Sequence, residues 1–147
     1  MAEIKSIIEK QREFFSSGAT SEISLRTKKL KMLYKAIKDN EQLIEKALYD
    51  DLNKSQFESY ETEIGIVLEE IRAVVKKVPK WAKTRKVKSP ILHFPSTSYV
   101  VTEPYGIVLI MSPWNYPFQL ALTLSSTPAS ASIIMYFLPS IILVSSK

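Results

Sequence analysis

Apolar residues between Phe57 and Val78 recur at the i, i+3, i+4, i+7 spacing of an amphipathic helix, and this pattern constrains the fold more than any other. Acidic residues on the opposite face come early and basic residues come late, as the helix dipole favours. Ser55 is a suitable N-cap, and Pro79 is expected to end the helix because proline removes a backbone donor. A chain of 147 residues with 46% hydrophobic residues can bury this stripe in one ordinary core.

Three further helices are predicted upstream from the same spacing. The first covers residues 3–15, with Gly18 as a stop, and the second runs from residues 20–21 to about Asp39. Asn40 is suited to cap a third helix. The apolar face of that helix comprises Leu43, Ile44, Ala47, Leu48 and Leu52. The N-terminal half is therefore predicted to contain four helices.

The pattern changes from helical to β-like after the fourth helix. Residues 97–103 are rich in β-formers and are predicted to form a strand, followed by a turn at 104–106. The run from Gly106 to Met111 is almost continuously apolar, as expected for a strand buried on both faces of a parallel sheet. Pro117 is placed to begin another helix. These features predict the α/β class.

The composition excludes several kinds of site. The sequence has no cysteine, which excludes a disulfide framework, a thiolate metal site and a cysteine nucleophile. Its single histidine, His93, cannot form a histidine-rich zinc site. The N-terminus alternates charged and apolar residues and lacks the basic and apolar blocks of a secretory signal, so we expect a cytoplasmic location.

The loop after the predicted buried strand is the segment best suited to chemistry. Asn115 lies between Pro113 and Pro117, and the two prolines restrict the loop backbone. Ligands bind at the carboxyl ends of parallel strands, and an amide on a rigid loop can donate a hydrogen bond to a developing oxyanion. In the alternative interpretation, Asn115 only closes a turn and Trp114 only packs. The residues alone leave both interpretations open.

This loop resembles the first signature segment of the aldehyde dehydrogenase superfamily. The resemblance rests on Pro113-Trp114-Asn115-Tyr116-Pro117, preceded by Glu103-Pro104-Tyr105-Gly106-Ile107-Val108. Upstream, Leu68-Glu69-Glu70-Ile71 and Pro79-Lys80-Trp81-Ala82 resemble the helical lead-in of class 3-type members. The resemblance covers roughly residues 3–124, over which the motif, its strand context and the helices agree in order and spacing.

The resemblance implies a parent activity, which is the NAD(P)-dependent oxidation of an aldehyde to a carboxylic acid by a homo-oligomer. It implies that Asn115 donates to the oxyanion that forms when a cysteine thiolate attacks the aldehyde. It also implies that Tyr116 lies near the substrate channel. The residues that would line the NAD or NADP cofactor are Met111, Ser112, Pro113 and Trp114.

The resemblance and the composition together divide the chain into four segments. Residues 1–85 are expected to form a helical layer, and residues 86–104 a bridging β segment that joins subunits. Residues 105–124 are expected to be the first strand, loop and helix of an incomplete Rossmann-like cofactor domain. Residues 125–147 form a serine-rich, hydrophobic tail with no charged residue before Lys147.

The tail departs from the family pattern, which continues with a Gly-Asn turn and a strand ending in Lys-Pro. Neither feature occurs after Leu124, and the family's nucleophilic cysteine and general-base glutamate have no counterpart. Without a thiolate the family reaction cannot start. We therefore expect a truncated, inactive N-terminal fragment whose residues 125–147 are a frameshifted or otherwise aberrant end.

Two non-enzymatic interpretations stay open, a pseudoenzyme and a membrane-anchored helical module. Residues 128–146 are uncharged and nearly long enough to span a membrane, but prolines and serines interrupt them, so a membrane anchor is the less favoured interpretation. The basic run from Lys76 to Lys88 could contact nucleic acid, yet no nucleic-acid motif surrounds it. We therefore expect a solvated basic linker and no nucleic-acid partner.

Overall fold

A computed structural model describes residues 2–103, 106–108 and 110–126. Part of the predicted turn (Pro104 and Tyr105), one residue of the predicted buried strand (Leu109) and most of the predicted tail (127–147) lie outside these residues. The helices are α1 (Ala2–Ser16), α2 (Ile23–Asp39), α3 (Glu41–Leu52), α4 (Gln56–Ser59), α5 (Gly65–Trp81) and α6 (Pro117–Ser126). The strands are β1 (Arg85–Val87) and β2 (Ser98–Val100).

The predicted helices are confirmed, with three differences at their ends. Helix α2 begins at Ile23 and not at residues 20–21, because those residues form a separate 3-10 turn, Ala19–Ser21. Ser55 caps α4 as expected, because its side chain accepts a hydrogen bond from the Glu58 backbone N–H. Helix α5 continues through Pro79 to Trp81, since a proline in the last turn removes only one hydrogen bond. Asn40 precedes α3, but its side chain donates to the Ala36 carbonyl at 2.8 Å and so closes α2 instead of capping α3.

Helices α4 and α5 are joined by a π-helical turn, Tyr60–Ile64, so the fourth predicted helix is one continuous rod with a local widening. The turn contains the i→i−5 hydrogen bond from the Gly65 N–H to the Tyr60 carbonyl. A π turn inserts an extra residue into the helix, which rotates the side chains on either side of it. Glu63, which lies within the turn, is fully buried.

The core forms where α5 packs between α2 and α6. Its fully covered members Ile64, Val67 and Ile71 lie on the predicted apolar stripe. The other buried members of the cluster are Ile37, Leu68 and Leu122, with Leu30, Leu33, Tyr34, Ile44, Val75 and Phe118 packed around them. Leu122 belongs to α6, so burial of the stripe also holds the helix that follows the Asn115 loop.

The β segment is a hairpin outside this core. Strands β1 and β2 pair antiparallel, with Lys86 opposite Tyr99, and the Ser89 and Ser98 hydroxyls are 2.8 Å apart. The strand predicted over 97–103 is real but shorter, because its only partner among the described residues is the three-residue β1. Its connecting segment is exposed and apolar, with Ile91 89% and Phe94 85% exposed.

The strand predicted from Gly106 to Met111 is not formed in the described part of this run. Gly106 is buried with φ of 88°, and a side chain there would meet the Phe15 ring at 3.5 Å. Val108 is 37% and Met111 79% exposed, so the run is not covered on both faces. A parallel strand forms only beside neighbouring strands, and the described residues supply none to this run.

The architecture is therefore an incomplete α/β arrangement in which helices predominate and a small hairpin comes between α5 and α6 in the chain. Among the described residues, no helix is both long enough and apolar enough to cross a membrane. The same part of the chain contains no group of three or more His, Cys, Asp or Glu side chains that could hold a metal ion.

The π turn leads to a prediction at Gly65. A Cβ there would lie 2.9 Å from the Tyr60 carbonyl oxygen and 3.3 Å from the Tyr60 ring, closer than such atoms pack. We expect Gly65→Ala to lower the free energy of unfolding by about 1–3 kcal/mol through overpacking, although alanine is the better helix former. Urea denaturation followed by circular dichroism measures the change.

Lys76→Ala, at an exposed position of the same helix, is the matched control and should change stability by less than about 0.5 kcal/mol. A Gly65→Ala variant as stable as the parent chain, or more stable, would show that the close approach at Tyr60 does not restrict this position.

Candidate functional site

A buried ion pair lies next to the predicted Asn115 loop. Helix α3 ends at Leu52, and Asn53 turns the chain with a left-handed φ of 54°. Lys54 is the next residue. Its ammonium Nζ donates to Oε1 of Glu63, which lies in the π turn. Lys54 is 7% exposed and Glu63 is fully buried, so both charges have lost their hydration. Such a pair is stable only when further hydrogen bonds satisfy the remaining polar atoms.

The second carboxylate oxygen of Glu63 supplies such bonds at the start of α6. Oε2 accepts hydrogen bonds from the backbone N–H groups of Phe118 at 2.9 Å and of Gln119 at 3.2 Å. These N–H groups have no partner within the helix, because the first turn of a helix lacks preceding carbonyls. A negative charge at this end is also favoured by the helix dipole. Glu63 is thus the cap of α6, supplied from a distant part of the chain.

Lys54 makes its other contacts with the loop itself. Its Nζ donates to the Asn115 backbone carbonyl at 3.2 Å and lies 4.1 Å from the centroid of the Tyr116 ring. The second distance is within the range of a cation–π interaction. Tyr116 also closes the first turn of α6, because its carbonyl accepts from the Leu120 N–H at 3.1 Å. The backbone carbonyls of Asn115 and Tyr116 are therefore both hydrogen-bonded.

The predicted site residues lie on the outer side of this loop. Asn115 is exposed, which leaves its amide accessible to a ligand. Trp114 is 73% and Met111 79% exposed, so neither side chain is packed into the core of the described residues. Ser112 and Pro113 are also exposed, and all five residues form one continuous accessible edge before α6.

Lys54 and Glu63 are not among the site residues predicted from the sequence. One signal for Glu63 was available, because it stands three residues after Tyr60 and four before Val67, on the face that the apolar stripe occupies. A carboxylate among buried positions calls for a partner. Nothing in the local sequence predicts that Lys54 is buried or paired, because a basic residue after a helix is usually solvated.

Three comparisons with known proteins bear on this arrangement. The model of the aldehyde dehydrogenase family matches residues 1–132. The 4,4'-diaponeurosporen-aldehyde dehydrogenase of Staphylococcus aureus is 50% identical over 109 residues, which cover 74% of this chain and 24% of that protein. The dimeric NADP-preferring aldehyde dehydrogenase of Canis lupus familiaris is 35% identical over 122 residues, covering 83% of this chain and 27% of that protein.

A solved structure, described as the substrate-bound state of Staphylococcus aureus AldH, superposes with a TM-score of 0.84. It is 43% identical, and the match covers 88% of this chain and 28% of that one. The chain thus spans about a quarter of the length of the relatives that it matches.

Proposed function

Because the chain belongs to the aldehyde dehydrogenase family, we propose that it carries the oxyanion-binding loop of an NAD(P)-dependent oxidation of aldehydes to carboxylic acids. One observation supports this most directly. The Asn115 amide is exposed on a loop whose backbone is held by a buried ion pair. A donor stabilises a developing charge best when it does not have to reorganise at the moment of reaction.

In this proposal the Asn115 amide donates hydrogen bonds to the aldehyde oxygen as a nucleophile attacks and the oxygen becomes negative. One such donor contributes about 3–4 kcal/mol to the transition state. The 147 residues contain no cysteine, so they offer no thiolate for the attack. We therefore propose that this chain alone is inactive, and that turnover needs a nucleophile and a base from outside these residues.

The proposed cofactor surface is the accessible edge formed by Met111, Ser112, Pro113 and Trp114. Two of these side chains are large, apolar and more than 70% exposed, which suits contact with a nicotinamide ring. When bound, NAD or NADP supplies the acceptor for the hydride that leaves the aldehyde carbon. The edge contains no glycine-rich phosphate loop, so it fits one side of the nicotinamide and not the whole dinucleotide.

We also propose that the β1–β2 hairpin contacts a second subunit. The connecting segment exposes Ile91, Leu92 and Phe94 by 85% or more, and clustered apolar side chains of this kind mark interaction surfaces. The relative from Canis lupus familiaris is named dimeric, which supports the assignment. Among residues 2–103, 106–108 and 110–126, no other strand pairs with the outer edges of β1 and β2, which would leave them available to a further strand.

The role of Asn115 can be tested in a chimera. Residues 2–126 of this chain would replace the matching part of the Staphylococcus aureus 4,4'-diaponeurosporen-aldehyde dehydrogenase. We expect the chimera to reduce NAD+ or NADP+ with an aldehyde. Asn115→Asp keeps the side-chain shape but replaces the donor with a carboxylate, and we expect kcat to fall by about 100- to 1,000-fold.

Gln42→Ala is the control, since it removes an exposed amide on α3 and should leave kcat unchanged. A folded chimera without turnover would contradict the proposal that these residues complete the site. An Asn115→Asp chimera with full kcat would contradict the role of Asn115 in particular.

A further inference from the structure

We infer that Lys54 and Glu63 are positioning residues for the Asn115 amide. The inference rests on the proposed function, because it assigns these two side chains the task of aiming the donor at the oxyanion. Both side chains are buried, and the contact of Lys54 with Asn115 is to the backbone carbonyl and not to the amide that would face the reactants. Their effect on the reaction would pass through the loop backbone.

The contacts of the pair are distributed around Asn115. Lys54 holds the carbonyl of Asn115 and lies against the ring of Tyr116, before α6 begins. Glu63 holds the N–H groups of Phe118 and Gln119, just after Pro117. Proline has no N–H, so Phe118 and Gln119 carry the first donors that α6 can offer. Tyr116 and Pro117 thus lie between two held backbone points, and the first of these points is the carbonyl of Asn115 itself.

The ion pair makes the two contacts dependent on each other. Glu63 uses one oxygen for Lys54 and the other for α6, and Lys54 reaches the loop from its bond to Glu63. A charge-assisted hydrogen bond is shorter and about twice as strong as a neutral one. The loop is therefore fixed in relation to both α6 and the π turn. This limits the displacement of the Asn115 amide, and a displacement of about 1 Å can be enough to slow a reaction.

A double substitution that removes both charges distinguishes positioning from stabilisation. If the pair only stabilises the fold, a variant of unchanged stability should also keep its loop order and its kcat. In Lys54→Met with Glu63→Gln, both charges disappear, methionine keeps the apolar stem, and the glutamine oxygen can still accept from α6. Replacing both partners of a buried pair is often nearly neutral for stability. The ion pair is removed without leaving an unpaired charge, and the loop loses the hydrogen bond to the Asn115 carbonyl and the cation beside Tyr116.

The test combines order in the chain with turnover in the chimera. We expect the backbone order parameters of Asn115 and Tyr116 to fall in the double variant of the full chain from about 0.85 to below about 0.6, as measured by ¹⁵N relaxation. In the chimera we expect kcat to fall by about 10- to 100-fold while the KM for the cofactor stays the same. Lys46→Met with Asp50→Asn neutralises an exposed pair on α3 and should change neither readout.

Unchanged order parameters or an unchanged kcat in the double variant would overturn the inference. If Asn115→Asp lowers kcat and the double variant does not, the inference fails and the proposed function stands. If Asn115→Asp also has no effect, the proposed function itself fails. Should the double variant not fold, Lys54→Gln replaces it, because glutamine keeps a donor for Glu63 but is one bond too short to bridge to Asn115. The same losses in order and kcat are expected there, and their absence overturns the inference.

Discussion

Lys54→Ala is expected to lower the free energy of unfolding by about 3–5 kcal/mol, the largest loss that we expect from any single substitution considered for this chain. The alanine leaves the Glu63 carboxylate fully buried without its cation, and the hydration that Glu63 gave up on folding is not restored. The bond to the Asn115 carbonyl disappears at the same time. Urea denaturation of the full chain, followed by far-UV circular dichroism, measures the loss.

The matched control for this prediction is Lys46→Ala. Lys46 pairs with Asp50 one helical turn away, but both side chains are more than half exposed. Surface pairs of this kind contribute about 0.3–0.5 kcal/mol, so the control should change the free energy of unfolding by no more than that. Equal losses for the two alanine variants would mean that water reaches the Lys54–Glu63 pair and that it is not a buried ion pair.

Ile71→Ala is expected to cost about 2–5 kcal/mol, because it opens a cavity in the cluster that joins α5 to α2 and α6. Ile71 has no exposed surface, and close-packed neighbours can move only partly into the space left by its side chain. Thermal and urea unfolding both report the change. Since Leu122 shares the cluster, hydrogen exchange in α6 should also accelerate.

The chain offers a control of identical chemistry on the same helix. Ile66 is 42% exposed, so Ile66→Ala removes the same atoms without leaving an enclosed cavity. We expect it to cost less than about 1 kcal/mol. A cost at Ile66 as large as that at Ile71 would contradict the placement of the core between α2, α5 and α6.

Local sequence signals were sufficient for most helix boundaries. Ser55 caps a helix start and Pro117 begins α6, because capping and the fixed φ of proline act within a single turn. The same kind of signal was wrong at Pro79, where the packed helix tolerates one missing hydrogen bond. It was also wrong for the role of Asn40, since the amide could serve either of two adjoining helices and closes the first.

The strand predicted after Gly106 shows why β-structure is harder to infer locally. A helix forms its backbone hydrogen bonds within itself, whereas a strand forms them with neighbouring strands that other parts of a chain must supply. The apolar run has the composition of a buried strand, but the described residues do not provide the neighbours that would pair with it. Strand β2 was identified correctly and is shorter than predicted for the same reason.

The sequence by itself determined the amphipathic helices and the loop with Asn115 between two prolines, because periodicity, capping and proline geometry are properties of neighbouring residues. Only the tertiary structure decided what holds that loop. Lys54 and Glu63 are far along the chain from the residues they hold: Asn115 is 61 positions after Lys54, and Phe118 is 55 positions after Glu63. No local pattern encodes a contact over such separations. It forms because burial of the α5 stripe brings α6 beside the π turn, and a carboxylate placed there is stable only with donors from both sides.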